Sequence, residues 1–168
     1  MPWYLTAGQF TVTKNAIDVY KNFLKLALQK RFAMIKFNEI KVGDYLFADN
    51  DGDKKQGEVT NLNNNEKQVC VNTGTQGFWY ETEQLSPIAL DEDQLIKLKF
   101  QKQENEDGSV KYLKGAFRML LAAKNDFSKF EIWYRDERRH IMQPISLHLL
   151  QNHFYEMTKV HLNNESFE

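Results

Sequence analysis

Residues 40–88, IKVGDYLFADNDGDKKQGEVTNLNNNEKQVCVNTGTQGFWYETEQLSPI, consist of short apolar runs cut by tight-turn residues and close on the aromatic triplet Phe78-Trp79-Tyr80. Such runs are too short to bury a helical stripe but suit strands, and strands this closely spaced curl into a small β-barrel. Val42-Gly43-Asp44 opens one strand through Tyr45, Leu46 and Phe47. Asn50-Asp51-Gly52 offers residues that accept positive φ and predicts a hairpin turn. Gly57-Glu58-Val59-Thr60 starts the next strand, residues 61–65 read as a polar turn, residues 67–72 as a third strand, and residues 73–77 as a turn into the triplet.

A longer period precedes this segment. Ile17, Tyr20, Leu24, Ala27 and Leu28 recur at helical steps within residues 13–32, with Thr13 as N-cap. Because Met34 is followed by a complete barrel start, IKFNEIKVGDYLF, residues 1–33 read as a helical extension. Beyond the barrel, Ser86-Pro87 reads as a hinge, since proline cannot donate to a ladder. Residues 91–98 predict a short helix whose first-turn acids complement the helix dipole. Strands return over 101–103, 110–113, 116–122 and 130–134, with Glu106-Asp107-Gly108-Ser109 as a turn. Residues 144–159 close the pattern as an amphipathic helix presenting Ile145, Leu149, Leu150, Phe154 and Met157. The polar tail, 163–168, is expected to fray. The predicted class is α+β: an N-terminal helix (1–33), an SH3-like small β-barrel (34–88) and a C-terminal α-β-β-β-β-α half (89–168).

Two stretches carry a resemblance. Pro87-Ile88-Ala89-Leu90-Asp91-Glu92-Asp93-Gln94-Leu95, followed by Phe100, matches PI-x-L-T/D-E-x-x-L-x-x-x-x-F. His148-Leu149-Leu150-Gln151-Asn152-His153-Phe154-Tyr155 matches a closing helix of the form H-x-L-Q-N-x-Y/F. Together with the barrel-like start, they make residues 34–162 resemble small uncharacterised proteins of Bacteroidetes genomes, phages and prophages. The resemblance implies a mobile-element setting and brings no activity with it. Lys99 and Lys159 stand where it leads one to expect turn glycines.

Charge narrows the function classes. The net charge is −1, so no global field draws the chain to nucleic acid or acidic lipid. Locally the first forty residues carry six cations against Asp18 and Glu39, whereas residues 81–108 carry eight acids against Lys97, Lys99 and Lys102. Opposite charge of this kind leaves room for self-association. Cys70, the single cysteine, lies in the apolar run Gln68-Val69-Cys70-Val71 and reads as a small buried hydrophobe in a reducing compartment. MPWYLTAGQF lacks the pattern of a signal peptide and no run of eighteen apolar residues occurs, so the expectation is a cytoplasmic protein with no membrane partner.

Several motifs fail their own chemistry. Asp49-Asn50-Asp51-Gly52-Asp53 opens like a calcium loop, yet in that register Lys54 falls where glycine is required and Thr60 where a bidentate Glu is required. His148 and His153 share a helix at the wrong spacing for zinc, and His140 and His161 add no cysteine partner. Gly74-Thr75-Gln76-Gly77 lacks the Lys and helix of a phosphate cradle, Cys70 has no basic neighbour, and Glu81 and Glu83 read as exposed strand charges. No metal or cofactor is expected.

Two sets remain as binding candidates. Tyr45, Phe47, Phe78, Trp79 and Tyr80 alternate along strands, so some rings must face outward, where a trough would take a base, a proline-rich peptide or a methylated cation. Arg135-Asp136-Glu137-Arg138-Arg139-His140 follows Trp133 and Tyr134 as a charged turn, and arginines beside aromatics bind phosphate and stack on bases. The sequence therefore reads as a non-enzymatic accessory protein of phage or prophage type that binds a protein partner. The alternative is nucleic-acid binding through Trp79, Tyr80 and the Arg135, Arg138 and Arg139 turn, aided by Lys21, Lys25 and Arg31. An enzyme with an unrecognised site comes third and would need a deep polar pocket.

Overall fold

The computed structural model describes residues 35–163. The helix expected over residues 13–32, with the rest of the extension 1–33, lies outside the described residues, as do positions 164–168 of the tail. The described residues are mixed α and β, dominated by two antiparallel five-stranded sheets. No helix among them is long and apolar enough to cross a membrane.

The first sheet contains β1 (Tyr45–Asn50), β2 (Asp53–Asn63), β3 (Gln68–Asn72), β4 (Gly77–Tyr80) and β5 (Leu85–Pro87), in the order β4-β3-β2-β1-β5. Pairing of Asn50 with Asp53 leaves Asp51 (φ 53°) and Gly52 (φ 91°) as a two-residue turn with both φ positive, the geometry that matches strand twist. The Gly52 N–H donates to Asp49 Oδ1 at 2.8 Å, so the acidic loop closes a hairpin. Contrary to the polar turn expected over 61–65, β2 continues through Asn63. A bulge between Val59 and Asn61 resets the register, so that Leu62 pairs with Val69 on the core side while Asn61 and Asn63 face out. Pro87, read as a hinge, is also within a strand: β5 pairs with β1 through Leu46–Pro87, Phe47–Ser86 and Ala48–Leu85. An edge strand bonds on one side alone, which is where proline is tolerated. Ladder pairing leaves β4 and β5 as the two edges, so the sheet is open where a closed barrel was expected. Its core holds Ile40, Leu46, Val59, Val69, Val71, Tyr80 and Leu85.

The second sheet is a meander of β6 (Gln101–Glu104), β7 (Val110–Lys114), β8 (Phe117–Leu121), β9 (Phe130–Tyr134) and β10 (Glu137–Ile141). The fifth strand corrects the expected four. β10 comes from the stretch read as a charged turn, and the turn itself shrinks to Arg135-Asp136, with Arg135 at φ 54°. Glu-Arg-Arg-His carries no apolar alternation, but an edge strand tolerates and even favours charge. Two helices cover one face of this sheet. In α1 (Glu92–Lys97) the N-cap Asp91 accepts the Gln94 N–H at 2.9 Å, and Tyr112 of β7 donates its hydroxyl to Glu92 at 2.7 Å. α2 (Leu147–Thr158) sends Leu147, Leu150, Phe154 and Met157 into the core, with the Phe154 ring 4.8 Å from Phe117. Leu147 takes the buried position expected of Leu149.

The other face of α2 is polar and buried. Gln151 accepts the Tyr45 N–H at 2.8 Å and donates to the carbonyls of Gly43 and Leu162, each at 2.9 Å. Asn152 donates to the Glu39 carbonyl at 2.7 Å. Leu147 N–H bonds Ile88 O at 2.9 Å beside an Ala89–Ser146 bridge. The H-x-L-Q-N stretch is thus a seam: its apolar members enter the second core, and Gln151 and Asn152 satisfy backbone groups at the start of the first sheet. Ile88, Leu90, Leu95 and Phe100 of the other quoted stretch are likewise core residues.

The two positions at which glycine was anticipated, Lys99 and Lys159, both have left-handed backbone, at φ 58° and 61°. A side chain there costs roughly 1 kcal/mol that glycine avoids, partly offset by glycine's larger unfolded-state entropy. Lys159→Gly, at the C-cap of α2, is expected to raise stability by about 0.5–1 kcal/mol in urea unfolding. A decrease would show that the Lys159 Nζ bond to the Glu156 carbonyl, at 2.9 Å, outweighs the backbone strain.

Candidate binding surfaces

The aromatic set of the first sheet is split by strand alternation. Tyr80 points into the first core. Tyr45 and Phe47 point out of the sheet, as alternation requires, but pack against the second core, and Lys54 Nζ sits 4.9 Å from the Phe47 ring centroid. These three residues hold the molecule together, so the five rings do not line one trough. Phe78 and Trp79 remain, each 49% exposed. Trp79 is opposite Cys70 on the outer face, whereas Phe78 is opposite Val71 on the core side, at the rim where the core ends. Cys70, expected to be buried, is half-buried beside Trp79.

Edges distinguish β4 further. An edge strand offers a row of unpaired N–H and C=O groups, and proteins usually blunt it with proline or charge. Among the described residues β5 carries Pro87, β6 carries Lys102 and Glu104, and β10 carries Glu137, Arg138 and Arg139. β4, Gly-Phe-Trp-Tyr, carries neither. No family model, curated protein or solved structure matches this chain. Its surfaces must therefore be read from their own chemistry.

The charged segment after β9 also divides. Arg135 lies at the turn with its guanidinium 5.1 Å from the Tyr134 ring centroid. Arg139 turns toward α2, pairing with Glu137 and Glu156, both at 2.7 Å, and approaching His153 Nδ1 at 3.1 Å. That arginine fastens the edge strand to the helix. Arg138 points the other way, over Trp133 at 5.4 Å, with Glu131 3.2 Å away. Arg118 of β8 is the cross-strand neighbour of Trp133 on its other side. Sequence reasoning missed Arg118, because only register brings it beside Trp133.

Titratable groups elsewhere are engaged in structure. Lys102 bridges Glu92 at 2.8 Å and Glu104 at 2.9 Å, and its hydrogen bond, with that of Lys124, holds the Glu104 carboxyl down to about 2. Glu81 caps the 3-10 turn Thr82–Gln84 instead of alternating with Glu83 along a strand. Asp44 is buried with Lys41 N–H donating to it at 2.8 Å, and burial pushes its carboxyl up to about 7. His148 is buried beside Ser146 Oγ, 3.0 Å from Nδ1, while Nε2 has no hydrogen-bond partner; burial pushes this imidazole down to about 4. Among the described residues no group of three or more His, Cys, Asp or Glu could hold a metal ion.

Proposed function

We propose that this protein is a non-enzymatic accessory protein of phage or prophage type that acts in the cytoplasm by binding a protein partner along the edge of β4 that no described strand pairs. In this reading the first sheet is an SH3-like half-barrel whose partner adds an extended strand, with main-chain hydrogen bonds supplying affinity and Phe78 and Trp79 gripping opposite faces of the added strand. The observation that carries it is the one uncharged, proline-free edge among the described strands, bearing two adjacent half-exposed aromatics. Aromatics of this exposure contribute the largest shares of binding energy at protein interfaces.

The test uses the full chain as bait in nuclease-treated host lysate, followed by affinity measurement with the partner recovered. Trp79→Lys places a charge on the edge, as natural edges do, and is expected to weaken binding by about thirtyfold or more, the equivalent of a ~2 kcal/mol hot spot. Because Trp79 faces outward, the variant should unfold within about 0.5 kcal/mol of wild type. Undiminished binding by a folded Trp79→Lys protein would remove β4 from the interface.

A further inference from the structure

Among the described residues, one face of the second sheet carries no covering element, and its character is different. Both helices pack on its Tyr112 and Phe117 side. On the opposite side register sets a row of Leu113, Arg118, Trp133 and Arg138 across β7 to β10, and beside it a row of Lys111, Leu120, Glu131 and His140. All eight are half-buried or exposed. Their polar contacts stay within the sheet: Arg118 donates to Ala116 O at 2.9 Å, and Arg138 and His140 share Glu131 at 3.2 and 3.3 Å. Lys111 makes no ion pair among the described residues. Three permanent cations thus face a single acid, on a chain whose net charge is −1.

From this juxtaposition of a central tryptophan with arginines on both neighbouring strands, we propose that the outer face of the second sheet binds single-stranded nucleic acid. Strands lie about 4.8 Å apart, so Arg118 and Arg138 straddle Trp133 closely enough to hold phosphates while a base stacks on the ring or on the Arg138 guanidinium already over it. Leu113 and Leu120 extend the apolar floor. A duplex hides its base faces and would meet the cations alone, which favours a single strand. An acidic peptide would use the same cations but has no need of the indole. This surface is separate from β4 and independent of the protein-binding reading.

The experiment is anisotropy of a labelled oligothymidylate titrated with the full chain across a salt series. Three phosphate contacts predict a log K against log salt slope of about −2, because each contact on a single strand contributes about 0.7. Arg118→Gln should weaken binding and make the slope shallower by about 0.7. Trp133→Leu should weaken binding about 5- to 150-fold, the cost of one stacked base, and leave the slope unchanged. Trp133→Tyr, which keeps a ring to stack on, should recover most of the affinity and carries the test if the leucine variant does not fold. Failure of the wild type to bind at low salt would overturn the proposal. So would equal binding by folded Trp133→Leu together with full displacement by polyglutamate, which would identify the face as a site for acidic peptides.

Discussion

Replacing Gln151 with leucine is expected to cost roughly 3–5 kcal/mol of folding stability, far more than the loss of an ordinary surface amide. Leucine keeps the volume, so no cavity is the cause. The cost comes from backbone groups left behind: the Tyr45 N–H and the carbonyls of Gly43 and Leu162, all bonded to this one side chain, would lose partners in a seam where water does not readily replace them. The effect should also be visible as uncoupling. Trp79 reports the first sheet and Trp133 the second, and in proteins carrying one of these as the sole tryptophan the two urea transitions should coincide with Gln151 present. With leucine the first-sheet transition should move to lower urea, ahead of the second. A loss under 1 kcal/mol with coincident transitions would show that Tyr45 and Phe47, packed on the second core, carry the coupling without the amide.

The second large effect is a pH dependence concealed by groups that titrate in opposite senses. Buried neutral His148 takes up a proton only near pH 4, whereas the unfolded chain does so near 6.5, so the stability it contributes above 6.5 is lost as pH falls from 6.5 to about 4. His153, held low by burial and by Arg139, acts in the same sense. Asp44 acts oppositely. Its buried carboxyl keeps a proton up to about pH 7 that the unfolded chain releases near 3.8, so its contribution is complete below 3.8 and is lost as pH rises to about 7. Shifts of two to three units correspond to effects on the order of 3 kcal/mol each. Asp44→Asn retains an acceptor for the Lys41 N–H and should expose a stability that climbs with pH between about 4 and 6.5. His148→Asn should expose one that declines over the same interval. The wild type should vary less than either. Urea midpoints measured across this interval decide it, and a wild-type profile as steep as that of one variant would mean that the opposing group is not perturbed by burial.

The elements that were legible in the sequence are those whose alternation survives locally. Val69 and Val71 in β3, Val110 and Tyr112 in β7 and Phe130 and Ile132 in β9 all face cores, as a period of two requires. The short helix after β5 announced itself by the acids of its first turn, and the structure adds that Asp91 is its N-cap. What escaped depends on neighbours distant in sequence. β10 is a strand because β9 pairs with it, despite four consecutive polar residues. Pro87 joins a ladder because β5 is an edge. Alternation required some of the five aromatic rings to face outward, but nothing within β1 reveals that Tyr45 and Phe47 do so only to pack against the second core. Gln151 and Asn152 did leave a signal. With His148 they form an i, i+3, i+4 polar stripe beside an apolar one, on a helix whose buried face would otherwise be explained by Leu147, Leu150 and Phe154.

The seam also dictates an order of events during synthesis. Gln151 and Tyr45 are separated by 106 positions, and Asn152 and Glu39 by 113. All five strands of the first sheet leave the ribosome before the first residue of α2 has been made, yet the last bonds at the start of that sheet are supplied by α2. At ~5–20 residues per second, the nascent sheet waits several seconds with the Gly43 carbonyl and Tyr45 N–H open to water and with Tyr45 and Phe47 uncovered. During that interval Tyr45 and Phe47 present apolar surface that the finished fold covers, and it is then that a chaperone would have most to hold.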